Sequence, residues 1–179
     1  MSSFVFIQDE VLRENINHAF DHIQDLLALS ESKTYKERSL LVSSLRKTII
    51  IHIASIIEAI LLWKLEQVCE SEKIELVNDW RYLDINIIYT INDSDEIIAG
   101  RRKKDKRKIS KLDFSKIADL CYKHKIISTT GLFKRIKKVR EIRNRQHLGG
   151  LKELEKIYTR RDLEYCFSTL EKTKDIGQK

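Results

Sequence analysis

The 179-residue sequence contains no proline at all, where average usage of about 5% would give roughly nine. That absence argues against a many-turned β architecture and leaves long helices free of interior breakers. Glycine is scarce, at five, and no Gly-rich phosphate loop, serine nucleophile motif or Cys-His arrangement appears, so Rossmann, P-loop and hydrolase chemistries lack support. The three cysteines, Cys69, Cys121 and Cys166, are odd in number and widely spaced, which excludes a disulfide framework or a zinc knuckle. They read as small buried hydrophobes in a reducing compartment. Met1 to Glu10 lacks the basic start, apolar middle and cleavage site of a secretory signal, so the expected location is cytoplasmic and the Asn92-Asp93-Ser94 triplet an unused glycosylation acceptor.

The length suits one domain, and the expectation is a single domain over residues 1–179, mainly α: a helical bundle of about five helices with an inserted β-hairpin. Val11, Leu12, Ile16, Ala19, Phe20, Ile23, Leu26 and Leu27 recur at helical spacing, which predicts a first helix from Asp9 to Leu29 and a break over Ser30 to Thr34. A second helix, Lys36 to Glu70, is apolar on nearly every face from Thr48 to Trp63. That stretch is shorter than the about 18 residues of a membrane span and contains His52, Ser55 and Glu58, so it is expected to be the core helix.

Between Trp80 and Ile91 the pattern turns β-branched and aromatic. A polar turn at Asn92 to Asp95 and a second run, Glu96 to Ala99, complete a predicted hairpin, the insertion occupying about 80–108. Arg101 to Lys108 then reads as a solvated basic loop, in which Arg101, Arg102, Lys103, Lys104 and Arg107 are candidate RNA-backbone contacts. A third helix is expected from the N-cap Asp113 to Lys125, and a fourth from Ser128 or Thr129 to Leu148, stopped by Gly149-Gly150. A last one opens on a capping box of Thr159 and Asp162 and buries Leu163, Cys166, Phe167 and Leu170. Residues 174–179 are expected to be a disordered tail.

On a wheel of about 100° per residue, Leu132, Ile136 and Val139 form the buried stripe of the fourth helix, opposite Lys134, Lys137, Lys138, Glu141 and Arg145. Continued toward the C-terminus, that stripe meets Arg143 and His147, with Arg140 on its flank. A guanidinium and an imidazole on an apolar face are costly unless paired or wetted. One turn apart, about 6 Å, they suit a phosphate: Arg as a fork donor, His as an acid or base near neutral pH. RNA cleavage by 2′-hydroxyl attack needs a proton removed, a phosphorane dianion neutralised and the 5′-oxygen protonated, without a metal. A two-fold dimer would supply two copies of His147 for the two proton steps.

The run Arg140-Glu141-Ile142-Arg143-Asn144-Arg145-Gln146-His147 resembles the signature of the HEPN superfamily, in which an arginine followed by Asn, Asp or His precedes a histidine by four to six residues. Arg143-Asn144 is the favoured dipeptide but leaves three residues before His147; Arg140 leaves six but is followed by Glu141. The resemblance implies a homodimeric, metal-independent, cofactor-free endoribonuclease leaving 2′,3′-cyclic phosphate. In it Arg143 or Arg140 would hold phosphate, His147 transfer protons and Asn144 orient one of them. It also implies an alternative, a non-catalytic module binding nucleic acid, nucleotide or a partner protein. A toxin or defence role with an antitoxin or regulatory partner fits the same family. An Arg-rich last turn is also ordinary helix C-capping, in which cations complement the macrodipole. Glu58, an acid within an apolar helix, calls for a partner such as Arg143 or Arg140. His18 and His22, with Asp21 and Asp25 nearby, have metal-compatible spacing but no further ligands in view, and no metal is expected.

Overall fold

The computed structural model describes residues 4–35, 37–72, 78–106, 109–145 and 157–178. Five helices and a two-stranded antiparallel hairpin make up the described chain, so it is mainly α with an inserted hairpin. Helix α1 spans Glu10–Glu31, α2 Ser39–Glu72, α3 Phe114–Lys123, α4 Thr130–Asn144 and α5 Arg160–Gly177; strands β1 and β2 span Asn78–Asn92 and Asp95–Lys106. The chain divides into two compact units, one of residues 1–65 and 113–179, the other of residues 66–112. The insertion expected at about 80–108 is thus the centre of a separate unit that also takes in the end of α2.

In the helical unit the core is built on α2. Ile49, Ile50, Ile53, Ala54, Ile57, Ile60, Leu61 and Leu65 are wholly buried, because a helix apolar on all sides must be surrounded. The helix runs 34 residues, so length alone does not separate it from a membrane span; by length and composition it passes, and 56% of its most apolar window lies inside the fold. Around it, α3 contributes Phe114, Ile117, Ala118 and Cys121, α4 contributes Ile136, Val139 and Ile142, and α5 contributes Leu163, Cys166 and Leu170. The Cys121 thiol donates to the Leu61 carbonyl at 3.5 Å. All three cysteines are free and buried, and burial pushes the Cys166 thiol up to about 12.

Local signals set most helix starts. The Asp9, Asp113 and Thr129 side chains accept from the backbone three residues on, and Thr159 and Asp162 complete a reciprocal capping box. Helix α3 ends at His124 as C-cap, followed by Lys125 at φ 59°, the left-handed conformation that closes a helix end.

Three expectations need correction. The fourth helix ends at Asn144, with Arg145 as its cap, rather than at Leu148; within the helix the last buried apolar residue is Ile142. Residues 174–177 are not a loose tail but the last turn of α5, where Thr173, Ile176 and Gly177 extend the stripe of Leu163, Cys166 and Leu170. The basic run is not a loop through Lys106: it is the second half of β2. Each residue there has a partner on β1, from Leu83 opposite Arg101 to Asn78 opposite Lys106. Alternation along the strand puts Arg102 on the opposite face from Arg101 and Lys103, which relieves the repulsion that a packed run would suffer.

Candidate active site

The apolar stripe of α4 leads directly to the cationic cluster. Ile136 and Val139 are wholly buried and Ile142 nearly so, and Arg143, one turn beyond Val139, continues the same face half-buried. Its Nη1 donates to Glu58 Oε2 at 3.1 Å; the two side chains are 29% and 25% exposed. Arg143, rather than Arg140, is therefore the partner that Glu58 requires within α2. The Arg143 Nε is buried without a hydrogen-bond partner, so this guanidinium is only partly satisfied.

Glu58 feels opposing influences. Burial raises its carboxyl above the ordinary 4.5; the Arg143 charge and hydrogen bond pull it back, and the Asp113 carboxylate raises it further. Burial prevails. A carboxyl whose folded value is raised holds its proton more tightly in the folded protein than in the unfolded chain, so stability falls as pH rises from 4.5 through that raised value and levels off above it. Glu58→Gln is expected to remove this part of the slope. Urea unfolding midpoints measured from about pH 4 to 7 would check it; an unchanged slope would assign the effect to another group.

Arg140 and Asn144 are half-buried beside Arg143, and neither side chain makes a hydrogen bond or ion pair among the described residues. His147 lies outside the described residues, as do Gly149 and Gly150. Since α4 ends at Asn144, the placement of His147 one helical turn above Arg143 is not supported by the helix itself. Arg145, read as a solvent-facing residue, instead pairs with Asp162 at 3.6 Å and is 29% exposed; it bridges the cap of α4 and the first turn of α5. Sequence reasoning also passed over Arg135, which stacks on Tyr165 at 4.3 Å and donates to the Tyr165 carbonyl at 3.3 Å, with a buried, unpartnered Nε. Its signal was present as a cation one turn before Val139, adjacent to the buried stripe.

The other candidates have their own local contacts. In the hairpin, Arg101 pairs with Asp84 at 3.4 Å and Arg102 lies over the Tyr82 ring at 5.6 Å; Lys103 is exposed and Arg107 is outside the described residues. His22 meets His52 of α2 edge to face at 5.0 Å, and burial with His22 beside it lowers the His52 value. Among the described residues no group of three or more His, Cys, Asp or Glu is placed to hold a metal ion. The cluster at the end of α4 thus offers two arginines and an asparagine as anion-binding groups held partly out of water, with the Glu58 carboxylate occupying one face of Arg143. No family model, curated protein or solved structure matches the chain.

Proposed function

We propose that the protein is a metal-independent endoribonuclease of HEPN type that acts as a homodimer, with Arg143, Arg140, Asn144 and His147 as its working groups. The observation that carries this reading is the half-buried, incompletely satisfied guanidinium of Arg143 at the point where an apolar helix stripe becomes polar, flanked by Arg140 and Asn144. The motif resemblance and a mainly α fold with an inserted hairpin both fit it. In the reaction, His147 takes the proton from a ribose 2′-hydroxyl, whose oxygen attacks the adjacent phosphorus. The arginines bind the phosphoryl oxygens as negative charge grows, and the bond to the 5′-oxygen breaks as that oxygen receives a proton from the second His147 of the dimer. The products are a 2′,3′-cyclic phosphate and a free 5′-hydroxyl.

One observation favours a second reading, a non-catalytic module that binds RNA, a nucleotide or a partner protein such as an antitoxin. Glu58 already occupies part of the Arg143 guanidinium, which suits a structural arginine as well as a phosphate clamp. The two are told apart by incubating the purified protein with RNA in EDTA. Cleavage to fragments with 2′,3′-cyclic phosphate ends is expected; RNA that stays intact across several substrates would replace the first reading with the second.

A further inference from the structure

The central helix of the helical unit is open along one stripe. From Ile49 to Leu62 the residues Ile51, His52, Ser55, Glu58, Ala59 and Leu62 reach solvent, and every other residue of that stretch is buried. Steps of three and four residues hold such positions on one side of a helix. Ser55, at the centre, is exposed. At about 100° per residue, His52 lies about 60° to one side of it and Glu58 about 60° to the other, about 9 Å apart along the axis. Another helix meets each flank: His22 of α1 contacts His52 at 5.0 Å between ring centroids, and Arg143 of α4 holds Glu58 at 3.1 Å. The stripe is therefore the floor of a strip bounded by the motif arginine on one side and by a pair of imidazoles on the other.

The imidazole side has no task in the reaction as described. His22 is exposed and His52 half-buried, and neither ring makes a hydrogen bond or ion pair among the described residues. Burial and the neighbouring His22 lower the His52 value below the ordinary 6.5, so at neutral pH His52 is an uncharged aromatic ring. The mixed chemistry of the floor selects its occupant. An apolar helix of a partner protein laid along it would take the Glu58–Arg143 pair and two unpaired imidazoles out of water, which is costly. A nucleotide meets each part with its match. Its base has a flat face that stacks on an aromatic ring and a polar edge that stays wet, and its phosphate suits the guanidinium.

Resting on the ribonuclease reading, we propose that His22 and His52, with Ser55 beside them, form a nucleobase subsite for the unpaired nucleotide next to the phosphate held by Arg143, so that the substrate is single-stranded RNA. In a duplex each base is already stacked and paired, and it cannot be splayed on to the rings without breaking both contacts; in a loop or single strand its face is free. Stacking of this kind accepts any base, so the subsite selects for strandedness rather than for sequence.

Filter binding in EDTA with short 2′-O-methyl oligoribonucleotides tests the proposal, because these lack the attacking hydroxyl and binding is read without cleavage. The unaltered protein is expected to bind a single strand more tightly than the matching duplex. His22→Ala and His52→Ala should each raise the dissociation constant for the single strand about tenfold and leave that for the duplex unmoved. His22→Phe keeps a stacking face without a ring nitrogen and should recover most of the affinity. An abasic residue moved along the strand should find one position where loss of the base weakens the unaltered protein about tenfold but weakens His22→Ala little further, since both changes remove the same contact. Melting temperatures establish that each variant is folded, and the exposed His22 can be changed without opening the core. Single-strand binding unmoved by His22→Ala overturns the proposal, as does an abasic series with no such position. His22→Phe as weak as His22→Ala also overturns it, assigning the ring a polar contact instead of a stacking one. Cleavage of unmodified RNA in EDTA alongside any of these failures would leave the proposed activity standing; neither binding nor cleavage of any RNA would remove both.

Discussion

His147→Ala is expected to lower the rate of RNA cleavage by about 10²–10⁴-fold while leaving RNA binding nearly unchanged. The group is assigned to proton transfer, so its removal affects the transition state and not the ground-state grip on the phosphate. Arg143→Ala should behave differently. It removes a donor to developing phosphoryl charge, a loss of about 10²–10³-fold in rate, and it also weakens binding. It strands the Glu58 carboxylate, for which about 1–2 kcal/mol of stability is the expected cost given that the pair is a quarter or more exposed. Arg143→Lys keeps the charge but not the planar fork, so it should recover binding more fully than rate. Single-turnover cleavage and filter binding on the same RNA, with melting temperatures for each variant, separate these effects. Equal rates for unaltered and His147→Ala protein would rule out His147 as the proton-transfer group. Loss of stability in Arg143→Ala with no change in cleavage or binding would reduce Arg143 to a structural partner of Glu58.

Much of the helical unit was legible because its signals are local. The Asp113 and Thr159 caps act on backbone groups three residues away, and the middle of α2, apolar on nearly every face, reads as a core helix once His52, Ser55 and Glu58 are counted. Glu58 announced that it needed a cation, but the choice between Arg140 and Arg143 depends on the meeting of positions 85 residues apart, and no local pattern carries that. Gly149-Gly150, the stop signal expected to end α4, lies outside the described residues, while the helix itself ends at Asn144, two residues after its last buried apolar side chain, Ile142. The length of β2 was hidden for a different reason. From Asp84 to Lys103 the described side chains are exposed, so no alternation of burial marks the strand, and Arg101 to Lys106 are held by ladder pairing with β1. In the candidate site, the cations of the motif were readable from periodicity; the pairing of Arg145 with Asp162 was not, because the helix stops and the wheel no longer applies.

Deleting residues 174–179 is expected to destabilise the protein by about 2–4 kcal/mol, and to lower the melting temperature by about 5–15 °C. A disordered tail would make the deletion silent. Here the last turn of α5 carries Ile176, 9% exposed, and Lys174, whose Nζ lies 5.0 Å from the Phe4 ring centroid. Phe4 is wholly buried and meets Phe20 of α1 edge to face at 5.7 Å, while Phe6 packs against Trp63 of α2 at 6.1 Å. The end of α5 therefore closes over aromatic side chains that join the N-terminal segment to α1 and α2. Gly177 is the tightest point of this closure: a Cβ there would overlap the Phe6 ring. Gly177→Ala is accordingly expected to cost about 1–3 kcal/mol through forced movement of that ring, although alanine is the better helix former. Combined with Phe6→Ala, it should cost less than it does alone, because the obstructing ring is gone; a coupling of about 1 kcal/mol or more in the double-mutant cycle is the expected sign. Urea denaturation of the four proteins measures it, and strict additivity would place Phe6 away from Gly177.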